Sequence, residues 1–213
     1  KIVVTGTRGI PGIQGGIETH CEELYPLIAD RQHEVVVVRR PGYAANRAVK
    51  VYRQVRVKDI DVVRNKYLEA FVHTFLSILY ARRTGADIVH IHAVGPALFT
   101  PLARMLGLKV VVTHHGADYD REKWGRFAKW ILRMGEKAGM RYANHVIVIS
   151  EHIRRMILQK YPSIKNITLV HNGVKAFSGT NQRDTMLYRG NEERRTDFKA
   201  KSASGRRIFR NDC

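Results

Sequence analysis

Cysteine, acidic residues and long apolar runs are all scarce in this chain, and each shortage removes a class of explanation. Two cysteines occur in 213 residues, Cys21 and Cys213. They give neither a disulfide framework nor a zinc-ligand spacing, which suits a reducing cytoplasm. The apolar stretches are too short and too interrupted to span a bilayer. Residues 1–5 run straight into a strand pattern, without the layout of a signal peptide. Neither GxGxxG nor GK[ST] occurs, which sets aside the dinucleotide and P-loop fingerprints. Acidic residues number 19 against 37 lysines and arginines, for a net charge of +18. Ten basic and five acidic residues in 175–213 contribute +5 of this, leaving +13 on the first 174 residues. A basic body suits nucleic acid, an anionic membrane surface or a phosphate-bearing substrate. No recognition motif for DNA or RNA accompanies the charge, so nucleic acid is the weakest of these partners.

The stretch 110–124, VVVTHHGADYDREKW, organises what is present. A β-branched run predicts a strand buried on both faces. It stops abruptly at two histidines and a glycine, and titratable residues follow. In open α/β sheets ligands bind beyond the carboxyl ends of the strands, so this tip is the first place to look for a site. A solvated polar loop is the plain alternative.

Upstream, KIVVT predicts a first strand, and GTRGIPGIQGG a glycine-rich loop. The apolar spacing of Ile17, Cys21, Leu24 and Ile28 predicts a helix over 17–31. Glu18 sits in its first turn, where the macrodipole favours an acid, and Pro26 should kink it. Strand, glycine loop and helix form an arrangement that cradles phosphate, or merely a tight connection. Residues 33–39 predict a second strand and 50–59 an edge strand. Residues 66–83 predict a helix with Leu68, Phe71, Val72, Phe75, Leu76 and Leu79 turned inward. The strand DIVHIHA places His90 and His92 on one face. A metal pair there lacks a third ligand with recognisable spacing. A helix follows over 95–106, ended by Gly107. Residues 124–142 predict a helix with Phe127, Ile131, Leu132 and Met134 on its apolar side and Arg126, Lys129, Arg133 and Lys137 outside. Such a basic amphipathic helix suits an anionic membrane or plain solvent. Residues 145–149 and 167–170 predict two further strands, with a helix from Ser150 to about Tyr161 between them.

Strands alternating with helices over 1–174 predict an α/β domain with a doubly wound parallel sheet, Rossmann-like, of about seven strands. Residues 175–213 do not continue the pattern and read as a polar, basic tail.

The segments GTRGIPGIQGGIET, HIHAVGPALFTPLARMLGLKVVVTHHGADYDREKW, ANHVIVIS and HNGV together resemble bacterial group 1, family 4-like glycosyltransferases. The resemblance is collinear over 1–174 and matches the amino-terminal half of a GT-B fold. It implies retaining transfer of a sugar from a nucleotide-diphosphate sugar to a sugar or lipid-linked sugar acceptor. It implies no cofactor and no metal, and a role in cell-envelope polysaccharide synthesis at the cytoplasmic face of the membrane. By resemblance, Gly15 and Gly16 face the donor diphosphate. His115 contacts the transferred sugar, with His114, one residue off that register, as second choice. Arg8, Asp118, Arg121, Lys123 and Ser150 line the acceptor side. Asn172 and Gly173 form the interdomain link.

Gln32 stands where the family usually has a glycine, and His171 where it often has a proline. No second α/β domain is legible after Val174, which implies weak or absent activity for this chain alone. The alternatives are a non-catalytic binding or scaffold domain, or one half of a split glycosyltransferase with a separate carboxy-terminal half.

Overall fold

The structure is a computed structural model that describes residues 1–63, 65, 68–116 and 125–172. The strands are β1 (Ile2–Thr5), β2 (Val35–Arg39), β3 (Val51–Tyr52), β4 (Val55–Asp59), β5 (Ile88–His92), β6 (Lys109–His114), β7 (His145–Val148) and β8 (Ile167–Leu169). The helices are α1 (Gly16–Ala29), α2 (Glu69–Arg83), α3 (Thr100–Met105), α4 (Arg126–Tyr142) and α5 (Glu151–Lys160). The strands form one sheet in the order β3-β4-β2-β1-β5-β6-β7-β8, parallel except for β3. Near-continuous valine runs make this possible, because each central strand is covered on both faces. Val4, Val35, Val37 and Val57 pack under Cys21, Tyr25 and Ala29 of α1. Val3, Val36, Val89, Val110 and Val146 pack under residues of α2 to α5 on the opposite face. The described residues thus form a doubly wound, Rossmann-like α/β domain.

The topology fixes where a site can form. After β1 the chain moves outward to β2 and β4, and then returns through α2 to β5 on the other side of β1. Connections therefore diverge between β1 and β5, and a crevice opens at the carboxyl ends of these two strands.

Several expected faces shift once packing decides. The single edge strand over 50–59 is a hairpin: Arg53 and Gln54 adopt φ of 43° and 67°, and β3 folds back on β4. The predicted 95–106 helix divides into a 3-10 turn (Pro96–Phe99) and α3. On α1 the buried stripe is Cys21, Tyr25 and Ala29, while Leu24 and Ile28 are only half-buried. On α2 the inward residues are His73, Thr74, Ser77, Ile78 and Ala81, and Leu68, Val72 and Phe75 face outward. The buried side of α2 thus mixes polar and apolar side chains, Glu69 among them.

On α4 the inward stripe is Gly135, Glu136, Gly139 and Met140. Phe127 and Met134, expected inside, are exposed, as is Trp130. Two glycines four residues apart bring the α4 backbone against the loop after β5. The contact follows the smallest residues rather than the most apolar ones.

Candidate active site

The glycine-rich loop leaves β1 at Gly6, whose φ is 86°. A side chain there would place its Cβ 2.1 Å from the carbonyl oxygen of His92. The loop therefore crosses the end of β5 with no room to spare, which is why glycine is needed. It reaches α1 at Gly15, the N-terminal cap residue, with no side-chain cap bond. The first helix-type bond runs from the Thr19 amide to the Gly15 carbonyl. The amides of Gly16, Ile17 and Glu18 donate to no described residue, as the first turn of a helix leaves them. Glu18 is buried and folds back over the loop. Its Oε1 accepts from the Thr7 hydroxyl (3.2 Å) and the Arg8 amide (3.0 Å). The helix start thus holds free amides beside one carboxylate.

His115 follows β6 in the same crevice. Its Nε2 lies 2.9 Å from His92 Nδ1, and the two rings stack with centroids 5.2 Å apart. His20, one turn after Gly16 on α1, meets His115 edge-on at 5.6 Å. Behind them, His92 Nε2 lies 2.6 Å and His90 Nδ1 2.8 Å from the hydroxyl of Tyr25. His90 Nε2 lies 2.7 Å from Thr113 Oγ1. His90 and His92 share a face, as the period of two predicts, and that face is packed against α1.

These imidazoles are neutral at pH 7. Burial, with smaller contributions from His20 and His115, lowers His90 to about 3. Burial, then His20 and His114, lowers His115 to about 4. Burial also lowers His92 and His20 and pushes the Tyr25 phenol well up.

Successive strand residues point to opposite faces, and His114 accordingly points away from His115. It is fully buried. Its Nδ1 accepts from the Gly116 amide at 3.2 Å, and its Nε2 lies 3.2 Å from Glu136 of α4. Glu136 also receives the Tyr161 hydroxyl at 3.0 Å and pairs with Lys160. With both nitrogens engaged, His114 holds α4 and the strand tip in place and does not face the crevice.

Arg8 donates to the Gln14 carbonyl at 3.1 Å. The Arg8 guanidinium lies 5.3 Å from the Tyr43 ring centroid, and that of Arg40 lies 5.4 Å from it. Ser150 lies two residues after β7 and caps α5, its Oγ accepting from the Ile153 amide at 3.3 Å. Asn172 follows the edge strand β8 and is exposed. Asp118, Arg121, Lys123 and Gly173 lie outside the described residues. The structure thus brings Gly15, Gly16 and His115 to one crevice with Arg8 at its β1 side, and leaves His114 behind the sheet. His20 and Tyr25 are the members that the periodicity argument missed. The signal for His20 is its place one helical turn after Gly16.

A sequence profile decides the family, matching residues 14–176 with the description Glycosyltransferase Family 4. The chain belongs to Glycosyltransferase Family 4. None of the curated proteins matches this family 4 chain in sequence. Solved structures do match it in fold. HepE from Anabaena, crystallised with UDP, superposes with a TM-score of 0.59 at 16% identity over 91% of this chain and 50% of its own. The HepE complex with UDP-glucose gives a TM-score of 0.62 over 90% and 49%. Sucrose-phosphate synthase from Thermosynechococcus elongatus gives 0.65 at 17% identity over 82% and 48%. The chain spans about half the length of these proteins.

Proposed function

We propose that this chain is the acceptor-side domain of a retaining glycosyltransferase that takes its sugar from a nucleotide-diphosphate donor. The observation that carries this reading is the meeting of His115 with the open amino terminus of α1 through His20, in a family 4 chain. Sugar transfer leaves negative charge on the departing diphosphate, and free helix amides stabilise that charge. The ring of His115 orients the sugar by hydrogen bonding rather than attacking it. No metal or other cofactor has a part in this scheme. UDP-glucose, present in the HepE structure, is the first donor to try.

Arg8 and Arg40 beside Tyr43 support an acceptor with an anionic part, such as a lipid-linked sugar, and Ser150 and the 118–123 segment complete the acceptor side in this reading. A cytoplasmic enzyme of envelope polysaccharide synthesis, resting on the inner face of the membrane, fits the basic body. Among the described residues no helix is long and apolar enough to cross a membrane. The nucleotide-sugar site of such enzymes is shared with a second domain joined through Asn172 and Gly173. Without that second domain, residues 1–174 bind donor weakly and turn over slowly or not at all.

Calorimetric titration of the purified chain with a panel of nucleotide-diphosphate sugars tests this, alongside His115→Ala. Saturable binding that the variant loses is the expected result. Binding unchanged by the variant would remove His115 from the site. No binding to any donor would leave a scaffold domain as the better reading.

A further inference from the structure

The contacts behind His115 obey a rule that follows from counting protons. Tyr25 has one hydroxyl proton and two nitrogen neighbours, His90 Nδ1 at 2.8 Å and His92 Nε2 at 2.6 Å. It donates to one and accepts from the other. Each neutral imidazole carries one N–H and one bare nitrogen. If Tyr25 donates to His92 Nε2, the proton of His92 sits on Nδ1 and points at His115 Nε2. His115 then carries its own proton on Nδ1. His90 donates from Nδ1 to Tyr25 and accepts at Nε2 from Thr113. If Tyr25 donates to His90 instead, every one of these bonds reverses and all three protons sit on Nε2.

We propose that Tyr25 forces His90, His92 and His115 into one shared tautomer, and that Thr113 sets this to the Nδ1–H form. Thr113 is fully buried, and its hydroxyl has His90 as its hydrogen-bond partner among the described residues. In the Nδ1–H arrangement Thr113 spends its proton on His90. In the Nε2–H arrangement that proton faces no acceptor, a cost that favours the first form by roughly tenfold or more. Depressed basicity keeps all three rings neutral, which the rule requires.

The outer nitrogen of His115 therefore presents an N–H, a donor seeking an oxygen. Tyr25 is a positioning residue: it never reaches the crevice, yet it fixes what His115 offers there. This consequence rests on the glycosyltransferase reading of the crevice. The tautomer rule does not.

Nitrogen-15 NMR of histidine-labelled chain at pH 7 reads the tautomer of each ring directly. The natural chain should show the Nδ1–H form at His90, His92 and His115 together. Thr113→Val should move all three rings toward the other form by the same fraction. Adding Tyr25→Phe should break the link, so that Thr113→Val shifts His90 and leaves His115 where it was. Unlike tautomers among the three rings of the natural chain would overturn the proposal, whether or not the variants fold. So would a Thr113→Val chain in which His90 moves without His115, or in which nothing moves. Titration with UDP-glucose in the same experiment separates the two readings. A shared tautomer with no response at His115 Nδ1 would count against the sugar site and not against the rule.

Discussion

Gly135 of α4 lies against the backbone carbonyl of Val94, so closely that a methyl group on it would stand 2.2 Å from that oxygen. The helix and the loop after β5 therefore share a contact that only glycine permits. Gly135→Ala should destabilise the fold by about 1–3 kcal/mol through forced displacement of α4, despite alanine's better helix propensity. Gly139→Ala faces the Ala97 side chain at 3.1 Å, and should cost less. Urea unfolding of both variants checks the order. Equal costs would mean that α4 adjusts freely.

Arg39 is fully buried at the end of β2, with Asp59 holding its Nε at 2.7 Å and its second nitrogen at 3.1 Å. The Asn46 carbonyl accepts from its Nη1, and those of Arg47 and Val49 from its Nη2. Asp59→Asn strips the counter-charge from a buried cation and should cost about 3 kcal/mol. Burial acts to raise the Asp59 carboxyl, but hydrogen bonds from Arg39 and Lys50 outweigh it and hold the group below its ordinary value. Its contribution is thus complete above the unfolded value near 3.8 and is lost as pH falls through the lower folded one. In Asp59→Asn that acid-side slope should disappear from stability measured against pH.

Histidine sets a second, higher window. Burial, then the charge of Arg40, lowers His73 to about 4, and His90 and His115 titrate near 3 and 4. Unfolded, each returns to about 6.5. Between these values the unfolded chain binds more protons than the folded one, so stability should fall as pH drops from about 6.5 toward 4. The Nε2 of His73 has no hydrogen-bond partner among the described residues. His73→Leu gives up the hydrogen bond between the ring and the Arg39 backbone, which should cost about 1 kcal/mol at pH 7, but it should recover up to about 2 kcal/mol of the loss at pH 5. An identical pH slope in the variant would show that His73 does not titrate in this range.

The strand alternation of DIVHIHA was enough to put His90 and His92 on one face, and the abrupt end of the valine run at His114 marked the strand tip. The family resemblance singled out the left-handed position at Gln32, whose φ is 66°. What the pattern could not decide was which stripe of a helix packs. Apolar periodicity selected Phe127 and Met134 on α4, yet Gly135 and Gly139 are the residues that pack inward, against Val94, Ala97 and Val112, because only small residues allow so close an approach. Tyr25 stayed outside the apolar spacing of Ile17, Cys21, Leu24 and Ile28, yet it is fully buried on α1. It is buried because two histidines from β5 wait for it. Choosing between His114 and His115 likewise needed the third dimension, since one residue of register separates a crevice from the opposite face.

The outward face of α4 supplies the remaining prediction. Phe127 is 72% exposed and Trp130 55%, and their rings stack at 6.0 Å. Arg126, Lys137 and Arg141 are exposed on the same helix, whose one acid, Glu136, is buried. Exposed aromatics flanked by cations insert at a lipid interface while the charges meet anionic headgroups. The chain should therefore sediment with vesicles containing anionic phosphatidylglycerol and much less with neutral phosphatidylcholine ones. Added salt should weaken the binding, since exposed charges are screened beyond about 10 Å at 0.1 M. Phe127→Ser with Trp130→Ser should reduce binding at low salt without altering the fold, because neither ring is part of the core. Replacing Arg126 and Lys137 by glutamine should reduce it chiefly on anionic vesicles. If the serine pair binds as tightly as the natural chain, the attraction is electrostatic alone, and α4 does not enter the interface.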